Sequence, residues 1–160
     1  VDTTGAAAGE TRRTGVPVTG QRRRLALRSV RGAVGKGRDF TRQTLRDWGW
    51  DRGETAEDAL LVVSELVTNA ALHARGCHEL VLTAGDTLRI DVVDGARALP
   101  HPRAVSRPGA PGGHGLHIVQ RLSDRWGSYA HGTGKVVWAE IEVSRLADRQ
   151  PGARTVPFAG

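Results

Sequence analysis

With one cysteine, Cys77, in 160 residues, the chain cannot build an intrachain disulfide framework. It has no apolar run long enough to span a membrane and no apolar signal region at its start, so a soluble cytoplasmic protein is expected. Aromatic residues are scarce, at 4%, but 39% hydrophobic content at this length still provides for one globular domain with a real core. Other absences exclude chemistries. No Gly-Lys-Ser/Thr closes a glycine loop, so there is no Walker A site, and there is neither a dinucleotide G-x-G-x-x-G fingerprint nor a G-x-S-x-G elbow. His73, Cys77 and His78, like His114 and His117, lack zinc-site spacing. No internal repeat is present.

The net charge of +6 is unevenly placed. Residues 1–50 hold 11 basic and 4 acidic side chains, whereas residues 51–160 hold 12 basic and 13 acidic. The basicity belongs to the leading segment, above all Gln21–Arg24, and not to the folded body, so nucleic acid is not the expected partner. Residues 1–24 read as a disordered basic arm, 25–145 as the folded domain and 146–160 as a flexible tail.

Between arm and tail the patterns alternate. "LALRSV" suggests a first strand, and 33–48 a helix. Thr55 is a plausible N-cap for a long helix that runs to about Arg75 and stops at Gly76. "ELVLTA" and "TLRIDVVD" read as strands around Gly85-Asp86. A Pro/Gly-rich stretch from Gly95 to Gly113 has no periodicity and is long for a connection, so it reads as a mobile loop and a candidate for function. A helix then begins near Gly115, and "RWGSYA" and "KVVWAEIEV" pair around "HGTG". The order predicts a two-layer α+β sandwich, with helices covering one face of a mixed sheet.

Three pieces could carry chemistry. In "SELVTNAALHA", Glu65, Asn69 and His73 fall four residues apart, on one helical stripe that shifts about 40° per step. That helix is apolar nearly all round, so polar groups on it need partners. An amide oxygen suits Mg²⁺, and a carboxylate one turn away can activate a hydroxyl; a merely structural buried pair is the alternative. In "VVDGA", Asp94 ends a strand before Gly95, where open sheets place ligand groups, although strand-end Asp is also a common turn former. In "GGHGLHIVQRL", glycines ahead of an apolar helix leave N–H groups free to face an anion, or simply end a loop.

Taken in order, these pieces resemble the GHKL family of ATP-binding domains, the Bergerat fold of histidine kinases, gyrase B and Hsp90. Over about residues 25–145, "ELVTNAALHA", "GHGLHIVQRLSDRWG" and "GKVVWAEI" are more closely similar to stand-alone actinobacterial anti-sigma-factor serine/threonine kinases. The resemblance implies ATP and Mg²⁺ as cofactors, with Asn69 holding the metal and Glu65 acting as general base. It implies Asp94 accepting a hydrogen bond from the adenine amine with Gly95 nearby, a lid over about Ala98–Gly112, and phosphates cradled by the backbone at Gly113, His114, Gly115 and Leu116. His73 matches a position commonly histidine in the subgroup. Ala96 and Ala98 replace two motif glycines, and Val136 stands where threonine is common, so a polar contact near the nucleotide is expected to be weakened there. No phospho-acceptor histidine helix precedes the domain, which argues against a sensor histidine kinase.

The expected function is therefore an ATP-dependent protein kinase acting on a hydroxyl of an antagonist protein. A sigma factor would be a second partner, and homodimerisation is implied by the resemblance. A nucleotide-responsive binding module without useful catalysis is the alternative, and a DNA-associated regulator using the basic arm is a distant third.

Overall fold

The computed structural model describes residues 18–73, 76–95 and 113–147. Along the chain run β1 (Arg22–Ala26), α1 (Ala33–Trp48), α2 (Glu54–His73), β2 (Cys77–Ala84), β3 (Thr87–Asp94), α3 (Gly113–Leu122), β4 (Arg125–His131), β5 (Gly134–Glu142) and the short α4 (Val143–Leu146). The strands stand in the order β1-β2-β3-β5-β4. α1 and α2 pack on the sheet, and α3 packs on α2 and β4. This is the two-layer α+β arrangement that the pattern of the sequence implied.

The sheet is antiparallel throughout rather than mixed. β3 and β4, joined through α3, do run in the same direction. The chain then turns back at Gly132-Thr133, and β5 inserts between them, so every neighbour is antiparallel.

Strand periodicity divides the sheet into a dry face and a charged one. Leu80, Leu82, Leu88, Ile90, Val92, Val137, Ala139 and Ile141 point at the helices and are at most 1% exposed. Burying each leucine or isoleucine stabilises by roughly 1.5–3 kcal/mol. The outward positions of β3 and β5 carry Arg89, Asp91, Trp138 and Glu140.

Three local expectations are corrected. β1 begins at Arg22, not at Leu25, so Gln21–Arg24 lies in the fold and not in an arm. Two of its arginines have partners: Arg23 reaches Asp47 at 2.7 Å and lies 5.8 Å from the Trp48 ring, and Arg24 reaches Glu79 at 3.3 Å. Thr55 is inside α2, which starts at Glu54, so it is not the cap. The expected tail is folded at its start, because Leu146 of α4 is fully buried. The rest of the tail and residues 1–17 lie outside the described residues.

Candidate functional site

α2 crosses the dry face of the sheet, and its stripe turns from half-exposed to buried. Glu65 is half-buried, while Asn69 is only 3% exposed. The opposite flank of α2 is occupied by structure: Ser64 Oγ donates to the Leu60 carbonyl at 3.0 Å and accepts from Arg38 of α1 at 3.0 Å. Asn69 lies about 140° round the helix from Ser64. Among the described residues, no side-chain hydrogen bond or ion pair involves Asn69 or Glu65. An amide one turn beyond a half-buried carboxylate is suited to a ligand, a metal or its waters. His73 closes α2. The outer side of the helix is not apolar core, because Leu61 and Leu72 are 37% and 55% exposed.

The floor of the site is a row on the dry face of the sheet, formed by Cys77, Asp94 and Lys135, which are register partners across β2, β3 and β5. Asp94 ends β3, as expected, but its carboxylate is not open. Lys135 Nζ lies 3.1 Å from Oδ1 and 3.0 Å from Oδ2, and the two side chains are 2% and 0% exposed. The backbone permits this closeness at one point: a Cβ on Gly134 would collide with the Asp94 carbonyl oxygen. Burial, reinforced by the Asp94 and Glu79 charges, pushes the Cys77 thiol up to about 12, so it stays protonated and fills space. Gly95 follows in a bend against His78, whose Cε1 would be 3.1 Å from a Cβ there.

α3 begins at Gly113, and Gly113, His114, Gly115 and Leu116 form its first turn, two positions earlier than the helix start expected from the sequence. No acidic residue stands in that turn, so nothing opposes an anion at the positive end of the helix dipole. Leu116 is 4% exposed and anchors the turn. The segment expected to be a lid, Ala98–Gly112, and Ala96 lie outside the described residues.

Lys135 escaped the sequence reading, although a signal was present. In "GKVVWAEIE" it is in phase with Val137, Ala139 and Ile141, all of which point inward. A lysine in that phase must be buried and must find an anion. The same phase corrects the reading of Val136. It faces the other side of the sheet, where it lines a concavity of about 460 Å³ with Val81, Val93, Tyr129 and Arg89. Its lack of a hydroxyl therefore removes nothing from the Asp94 side. Around that concavity Arg89 holds Asp91 and Glu140, both at 3.1 Å, and stacks 4.2 Å from the Trp138 ring.

The residues present fit a magnesium nucleotide: a buried amide with no side-chain partner among the described residues, a carboxylate one turn before it, and a glycine-started helix with no acid in its first turn. A family model described as histidine kinase-like ATPase domain matches residues 28–141. Among solved structures the chain is similar to the histidine kinase domain from Erythrobacter litoralis EL346 blue-light activated histidine kinase. The two are 21% identical, over 91% of this chain and 84% of that chain, with a TM-score of 0.44. No curated protein matches the sequence.

Proposed function

From the premise that the chain belongs to the histidine kinase-like ATPase family, of GHKL type, we propose that it is an ATP-dependent regulatory kinase of the anti-sigma-factor type. Its substrate would be a serine or threonine hydroxyl on an antagonist protein. The observation that carries this reading is Asn69, buried and with no side-chain partner among the described residues, one turn after the half-buried Glu65.

Asn69 would hold Mg²⁺, which draws charge from the triphosphate oxygens when bound. The backbone N–H groups of Gly113, His114, Gly115 and Leu116 would hold the phosphates, and Asp94 would accept from the adenine amine beside Gly95. Glu65 would orient the acceptor hydroxyl and take its proton as the oxygen bonds to the γ-phosphorus and the bond to the β–γ bridging oxygen breaks, releasing ADP. The half-buried position of Glu65 supports this reading, because a base that serves a protein substrate must be reachable. His73 is left without an assigned role.

Calorimetric titration with ATP and ADP, with and without Mg²⁺, tests the pocket. Saturable binding that weakens at least tenfold without Mg²⁺ and in Asn69→Ala is expected. No binding at millimolar nucleotide would remove the reading. Glu65→Gln should keep ATP binding within about threefold and lower phosphoryl transfer by about 10²–10⁴. Binding of a protein partner that responds to ATP, with no transfer by the unaltered chain, would replace the kinase with a nucleotide-responsive binding module.

A further inference from the structure

We propose that the outward ridge of α2 reads the acceptor polypeptide, selecting a hydroxyl residue with an apolar side chain two positions away and a cation four positions away on the same side. This rests on Glu65 serving as the base in the function proposed above. Among the described residues three large apolar side chains are exposed, Leu61, Leu72 and Tyr129. Two of them stand on α2 on either side of Glu65, four residues before it and seven after.

The helical twist places Glu54, Asp58, Leu61, Glu65 and Leu72 within a sector of about 60°. Arg38 of α1 meets Ser64 on one flank of α2, and α3 also packs on this helix. The exposed sector therefore has Glu65 in its middle. Asn69 lies about 40° to the side of Glu65 and is buried, so the ridge runs beside the proposed metal position and not into it. Single exposed leucines need no account, but two on one line with the base between them make a surface for an apolar partner.

The spacing fits an extended segment. Along the helix axis Leu61 lies about 6 Å before Glu65, Asp58 about 10.5 Å and Glu54 about 16.5 Å before it, and Leu72 about 10.5 Å beyond it. An extended segment presents alternate side chains to one surface, about 6.6 Å apart. With its hydroxyl at Glu65, its second neighbour on one side meets Leu61, and its fourth falls between Asp58 and Glu54. On the other side Leu72 is within reach of the second or fourth neighbour. Charge fixes the chemistry at one end. Glu54 stands in the first turn of α2, where the helix dipole gives it a structural reason, but Asp58 lies just past that turn. Among the described residues no side-chain hydrogen bond or ion pair involves Asp58, although the chain carries a net charge of +6. A cation on the acceptor segment supplies the counter-charge, and such a contact contributes selectivity more than affinity.

The test supplies Mg²⁺-ATP and a randomised peptide library with a fixed central serine to the full chain, and reads the preferred residue at each position. Transfer should favour leucine or a similar residue two positions from the serine and arginine or lysine four positions away on the same side, each by about fivefold or more over aspartate. For the best peptide, Leu61→Ser and Leu72→Ser should each raise KM by about fivefold or more and leave kcat and ATP affinity within about twofold, a split that a merely structural role would not give. Asp58→Lys should lower the preference for a cation to about twofold or less. Transfer without selection, or a selection unchanged in all three variants, overturns the inference alone. Weaker ATP binding in the leucine variants overturns it too, since the ridge would then belong to the nucleotide site. Should Asp58→Lys not fold, the leucine variants decide, because both of those side chains are exposed. ATP binding without transfer to any peptide overturns the inference and leaves the nucleotide site standing. If ATP does not bind, the function proposed above falls first.

Discussion

At the scale of single residues, the Asp94–Lys135 pair sets two opposite charges close together in the interior. Each charge alone would be costly in a dry interior, and each is tolerated because the other is about 3 Å away. Removing one partner leaves the other uncompensated. Lys135→Met is therefore expected to destabilise the fold by about 3–5 kcal/mol. Asp94→Leu combined with Lys135→Met removes both charges and should recover most of that loss. Urea unfolding of the two single variants and the double variant gives the coupling directly. Additive losses would mean that the two side chains do not depend on one another.

At the scale of elements, helix ends and strand phases decide what could be read in advance. α1 ends in a hydrogen-bonded turn: Gly49 N–H reaches the Arg46 carbonyl at 3.1 Å, and Trp50 N–H reaches Leu45 at 2.8 Å. Gly49 has φ 77°, so Gly49→Ala should cost about 1–2 kcal/mol and lower the melting temperature by a few degrees. Gly35 sits exposed inside the same helix with open space where a Cβ would go, and Gly35→Ala should stabilise by about 0.5–1 kcal/mol. Equal effects of the two substitutions in thermal melts would contradict this account of the helix. The same chemistry explains what was legible. α1, the β2–β3 hairpin and the β4–β5 hairpin follow from periodicity and turn glycines, and they were placed within a residue or two. The start of β1 was less legible, because Arg23 and Arg24 gain their partners only when α1 and β2 arrive, while the apolar signal lies at Leu25 and Leu27. On the site, Glu65, Asn69 and Asp94 were visible as polar groups in apolar segments, and Lys135 was visible only through its phase along the strand. The partner across the sheet that gives it meaning is 41 residues away and has no local signature.

At the scale of the whole molecule, three carboxylates tie segments that are far apart in sequence, and together they set the response to acid. Asp47 joins α1 to β1 through Arg23, and the hydrogen bonds from Arg23 and then Gln43 hold its carboxyl below the usual 3.8. Burial works against the charge on Asp124, but the Glu142 N–H at 2.8 Å and Arg145 at 2.9 Å outweigh it, joining the end of α3 to β5 and α4. Burial likewise opposes ionisation of Glu140, and Arg125 and Arg89 more than offset it, so that its carboxyl lies below the usual 4.5. A carboxyl lowered by folding contributes stability that is present above its ordinary value and lost as pH falls through the lowered one. Asp91 acts in the opposite sense, since burial raises it above 3.8 despite Arg89, and its contribution favours the fold as pH falls. Three groups against one predict a net loss, and the net positive charge, +6 at neutral pH, grows in the same window and adds self-repulsion. The melting temperature should therefore hold from pH 7 to about 5 and fall steeply between about pH 5 and 3. Glu140→Gln should lower it at pH 7 and flatten the acid slope, because the variant has one fewer such proton to take up on unfolding. A melting temperature that rises from pH 5 to 3, or an unchanged slope in Glu140→Gln, would show that these ion pairs do not tie their segments together in solution.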